Sequence, residues 1–205
     1  MYLKQGWLVA LVMSWSLAGH AALPVPRAAA DATEIVKFTV DYEARANDAG
    51  ELLRGASREP TRLEASLFTR DFLRAWYGLK AKEAANPDGI STPNSTPGID
   101  NVTNGEADYL IGGDSSGDCA EKERFDDVSN GINGTMVAVR RCARDRYASL
   151  FFLKHEDGRL KIDDVVQRAF SSGPLNPATL HRTGVSQGLR NEIERKLGLY
   201  GALKK

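Results

Sequence analysis

Residues 147–166 read YASLFFLKHEDGRLKIDDVV. Apolar and β-branched residues flank Asp157-Gly158, a pair that supplies the positive φ values of a two-residue hairpin turn. The same stretch holds one imidazole, His155, and four carboxylates, Glu156, Asp157, Asp163 and Asp164, which invites a metal or acid–base reading. Strand parity separates the two readings. With Glu156 opposite Arg159, one face carries Phe151, Leu153, His155, Leu160, Ile162, Asp164 and Val166. The other carries Phe152, Lys154, Glu156, Arg159, Lys161 and Asp163. The first is expected to meet a core and the second to be solvated near the turn.

In that register Asp164 opposes Phe151 and lies ~13 Å from His155 along the strand, so one metal cannot hold both. Asp163 and Asp164, being adjacent, are expected on opposite faces. His155 is expected to be exposed beside the turn. Asp164 remains as the candidate site residue, a carboxylate on the core-facing side. Burial disfavours its charge unless a partner such as Arg140, Arg141, Tyr42 or Tyr77 offsets the cost. Two roles stay open for it: a strand-end carboxylate bonded to backbone or water, or a catalytic or ligand-orienting group.

Working outward, ERFDDVS, TMVAVRRC and YASLFFLK read as further strands of an antiparallel meander. A turn at Asn130-Gly131 sets Phe125 against Met136 and Cys119 against Cys142, at the end of the hairpin. A turn at Asn133-Gly134 spoils that opposition, so a bridge favours the earlier turn or a longer loop close to its register. An even cysteine count in an exported chain points to a structural bridge. Closing that loop contributes ~3 kcal/mol by the chain-entropy argument.

The helices come first. EIVKFTVDYEARA places Ile35, Phe38 and Tyr42 at helical spacing with Thr33 as N-cap, although Val36, Phe38, Val40 and Tyr42 also alternate as in a strand. In RLEASLFTRDFLRAWYGLKAKEAA the residues Leu63, Leu67, Phe68, Phe72, Leu73, Trp76 and Leu79 form one apolar stripe, with a break expected at Thr69. Phe72 and Trp76 read as packing residues. A Pro/Gly/Asn-rich loop follows at residues 86–106, and its length suits a lid, a binding loop or simple variation at a surface. The chain closes with GLRNEIERKLGLYG, a short helix carrying Leu189, Ile193 and Leu197 on one stripe.

Lys plus Arg and Asp plus Glu both number 27, so no global charge favours nucleic acid as a partner. Residues 1–21 carry Lys4, an apolar run from Trp7 to Ala18 and small residues before Ala22, as a cleavable signal does. The run is shorter than the roughly 20 residues that span a bilayer. Export to the periplasm, with no membrane span after cleavage, is therefore expected. Residues 22–32 read as an extended leader, 33–167 as the α+β domain and 168–205 as a C-terminal extension. Sequons at Asn94, Asn101 and Asn133 are minor features. The cysteines and the two mature histidines, His155 and His181, have no zinc spacing. The glycines at 112, 113 and 117 lack dinucleotide-binding context. No metal and no cofactor are expected.

Amphipathic helices, the ADYL segment at 107–110 and a meander ending Gly158, Arg159, Leu160, Lys161, Ile162 and two acids resemble the nuclear-transport-factor-2-like α+β cone proteins, closest to exported bacterial members of unknown function. Leu160 stands where that family often has tryptophan. The resemblance covers roughly residues 33–167 and implies α+β architecture: N-terminal helices packed on a curved antiparallel sheet, a cone with a pocket. It also implies a choice among functions, since such cones include isomerases, dehydratases and cyclases as well as binding and immunity proteins. With no nucleophile motif, the expected function is an exported non-enzymatic binding or interaction protein. An immunity-type inhibitor of a periplasmic effector is one version, and its partner is a protein or a small apolar ligand. The alternative is a small acid–base isomerase or dehydratase using Asp164 with Tyr42 or Tyr77. A structural subunit of an envelope complex is a third class.

Overall fold

The computed structural model describes residues 25–45, 52–53, 59–86, 123–129, 134–140, 147–169 and 188–202. Within them the first run is helical, α1 (Ala32–Arg45), and its apolar residues Ile35, Val36, Phe38 and Val40 are buried. The N-cap is Asp31 and not Thr33: the Asp31 carboxylate accepts the Glu34 N–H at 2.8 Å, which places Thr33 inside the first turn. Thr39 is buried because its hydroxyl returns a hydrogen bond to the Ile35 carbonyl at 2.9 Å.

The second helical run breaks at Thr69, as its sequence suggests. Helix α2 (Arg62–Leu67) opens with a capping box in which Thr61 and Glu64 satisfy each other's backbone N–H groups. Phe68 then turns extended and forms a parallel bridge with Ile162, and the Thr69 N–H bonds the Ile162 carbonyl at 2.9 Å. Thr69 caps α3 (Arg70–Ala84) by accepting the Phe72 N–H. Phe68, Phe72 and Trp76 stack successively, with centroids 5.3 and 6.3 Å apart. They are core residues.

The meander is a four-stranded antiparallel sheet in the order β1 (Arg124–Asp127), β2 (Thr135–Arg140), β3 (Tyr147–Glu156), β4 (Arg159–Ala169). The molecule is thus α+β. Phe125 opposes Val139, three positions away from the Met136 expected for a turn at Asn130-Gly131. The pairing runs on through Val128 N–H to the Met136 carbonyl, and the Ser129 hydroxyl accepts the Met136 N–H, so the connection lies beyond Ser129. Cys119 and Cys142 lie outside the described residues, and the register that set them opposite each other is not the one observed.

The Asp157-Gly158 turn forms as expected, with φ of 54° and 75°. Pairing follows that turn from Glu156↔Arg159 to Leu153↔Ile162, and then Phe152 takes Asp164 and skips Asp163. This bulge inverts every later side chain. Val165, not Val166, joins the main core under the helices, and Asp164 opposes Phe152 instead of Phe151.

The main core gathers α1, α2, α3 and the helix α4 (Leu189–Ala202) against Val137, Val139, Phe151, Leu153, Ile162 and Val165. A second cluster lies on the other face: Val128, Met136, Ala138, Leu150, Phe152 and Val166. Lys161 and Asp163, expected in solvent, are also buried. Among the described residues no helix is long and apolar enough to cross a membrane.

Candidate functional site

The hairpin tip is docked, not free. Both Glu156 oxygens accept the Arg70 N–H at 3.2 Å, so a carboxylate sits at the first turn of α3, where the helix dipole favours it. Lys161 Nζ donates to Glu156 at 2.9 Å, and Arg70 Nη2 donates to Asp157 at 3.2 Å. Burial opposes the Glu156 charge, but Lys161 and the Arg70 N–H outweigh it and hold the carboxyl below its ordinary value. His155 is exposed and lies outside this arrangement.

The bulge is the densest polar feature of the sheet. It lets two adjacent carboxylates reach one residue, against the expectation that Asp163 and Asp164 diverge. Asp163 Oδ1 accepts from Thr69 Oγ1 at 3.0 Å and from Arg190 Nη1 at 2.7 Å, and its Oδ2 pairs with Lys154 Nζ at 2.6 Å. Asp164 Oδ1 accepts the Arg190 and Val165 N–H groups, each at 2.9 Å. Both aspartates are 1% exposed. Burial lowers the tendency of Arg190 to stay charged, but Glu194, Asp163 and Asp71 together raise its pKa above the ordinary value.

Gly188, just before α4, bridges Val166 and lies against the Asp164 carboxylate. A Cβ there would come within 2.8 Å of Asp164 Cγ and 2.9 Å of Oδ1, closer than such carbons are found.

A further buried carboxylate, Glu64, was not singled out from the sequence. It is 1% exposed and accepts the Leu53 and Thr61 N–H groups at 2.6 Å each and the Tyr77 hydroxyl at 2.8 Å. Trp76 Nε1 donates to the Leu53 carbonyl at 2.8 Å. Leu53 has a φ of 65°, uncommon for a leucine, and is held there by these donors and acceptors. Burial, then the hydrogen bond to Glu64 and its charge, pushes the Tyr77 phenol well above its ordinary value. The pattern Thr61-x-x-Glu64 is a capping-box signal, and nothing local announced the burial.

The candidates named from sequence therefore occupy different settings. Tyr77 serves as a hydrogen-bond donor to Glu64. Tyr42, half-buried on α1, stacks on Phe38 at 5.8 Å. Asp164 receives the start of α4. Arg190, which no spacing rule links to Asp163, reaches this part of β4 together with Lys154. Among the described residues no group of three or more His, Cys, Asp or Glu side chains is placed to hold a metal ion. The loop at 87–106 and the Cys119–Cys142 pair fall outside the described residues.

No protein-family model matches the chain, and no curated protein or solved structure is detectably similar to it.

Proposed function

We propose that this chain is an exported, non-enzymatic binding or interaction protein of the nuclear-transport-factor-2-like cone type, acting in the periplasm. One observation carries the reading: the buried carboxylates offered by β4 and α2 are engaged by donors of their own chain. Asp163 and Asp164 hold α4 and α3, and Glu64 holds Leu53 and Tyr77. A general base needs an oxygen within hydrogen-bond reach of a substrate proton, whereas Oδ1 of each aspartate and both Glu64 oxygens already accept from their own chain. Helices on one face of an antiparallel sheet are consistent with a cone and its pocket. An inhibitor of a periplasmic effector is the concrete version of the proposal, with the 86–106 loop as its contact.

The competing acid–base enzyme draws on the burial of Asp164. Mass spectrometry of proteins and small molecules co-purified from native periplasm separates the two. The binding reading expects a specific protein partner, retained by Asp164→Asn and weakened by deletion within residues 86–106. A small molecule captured by the wild type and lost in Asp164→Asn, with no protein partner, supports the enzyme instead.

A further inference from the structure

Helix α4 is attached in two unlike ways. Its start is held by polar contacts to two buried carboxylates and to β4: Arg190 N–H to Asp164, Arg190 Nη1 to Asp163, and the Gly188 bridge to Val166. Its apolar attachment, among the described side chains, is Leu189 in that same first turn and Ile193, both buried, with Leu197 half-buried against Gly78. Its buried Lys196 pairs with Glu192 of the same helix at 3.7 Å.

We propose that α4 is a strap that opens and closes as one unit on the body formed by α1–α3 and the sheet, with the Asp163–Arg190–Asp164 contact as its latch. Removing one member of a buried ion pair ordinarily strands the other, which makes opening costly. Here the carboxylates keep partners when α4 leaves: Asp163 retains Lys154 and Thr69, and Asp164 retains the Val165 N–H. The body also keeps a core of its own, since Phe68, Phe72, Leu79, Phe151 and Ile162 are buried among α1–α3 and the sheet. Opening uncovers the surfaces of α3 and β4 against which α4 packs, with the two aspartates at one end.

Native-state amide hydrogen exchange of the full chain, in stepwise low urea, tests this. In the wild type, α4 amides should exchange through an opening with a smaller urea dependence than those of β2–β4. Arg190→Ala, and separately Gly188→Ala, should speed α4 exchange by roughly tenfold to a hundredfold. Strand amides should stay within about twofold. A common rate and urea dependence for α4 and the strands in the wild type would overturn the proposal, as would equal losses in both elements in either variant. If neither variant folds, the wild-type comparison decides alone.

Discussion

At the scale of single residues, burial and partner decide what a charge does. Glu64, on a short helix of ordinary sequence, is fully enclosed because three donors converge on it. Leaving a buried carboxylate short of a donor costs about 1–3 kcal/mol, so Tyr77→Phe should lower stability at neutral pH by an amount in that range. The pH dependence follows from the raised phenol. As pH rises through the ordinary value of 10.0, the unfolded chain ionises Tyr77 while the folded chain keeps it protonated. Its contribution is complete below that pH and is lost above it, until the higher folded pKa is reached. Urea midpoints between about pH 8 and 11 should therefore fall less steeply for Tyr77→Phe than for the wild type. Parallel alkaline limbs would refute the assignment.

At the scale of elements, Thr69 joins α3 and β4 with one side chain. Its hydroxyl accepts the Phe72 N–H as the cap of α3 and donates to Asp163 on β4, and its backbone N–H continues the bridge to Ile162. Thr69→Ala removes a cap, usually worth about 0.5–2 kcal/mol, together with one of the hydrogen bonds to a buried charge. A loss of about 2–4 kcal/mol in urea denaturation is expected, with most of it restored by Thr69→Ser. A loss under about 0.5 kcal/mol, the level of an ordinary surface change, would show that the hydroxyl is dispensable. The same contacts cover the outer edge of β4: Phe68 and Gly188 take bridge positions there, which protects an otherwise open strand from pairing with another chain.

At the scale of the whole molecule, the sheet is buried on both faces, with the helices on one side and a second apolar cluster on the other. The proposed Cys119–Cys142 bridge belongs to this scale. Non-reducing peptide mapping should recover the two cysteines in one linked fragment, and reduction should cost roughly 3 kcal/mol of stability. Two free thiols in protein purified without reductant would end that proposal. The strand character of SLFFL and LKIDDVV, the Asp157-Gly158 turn, the helical stripe from Leu63 to Leu79 and the break at Thr69 were legible because each is local. Turn chemistry, capping and side-chain period act over a few residues, and those residues are adjacent in the chain. The bulge at Asp163 was not legible, because a ladder irregularity is set by what packs against the strand. Thr69 lies 94 residues from Asp163, and Arg190 lies 27 away. By itself the sequence determined the elements after the first, their order and the α+β class, while the run at 32–45 read as helix or strand. Only the tertiary structure decided which way Asp163, Asp164 and Val165 point, since that choice depends on donors brought from distant elements to compensate buried charge.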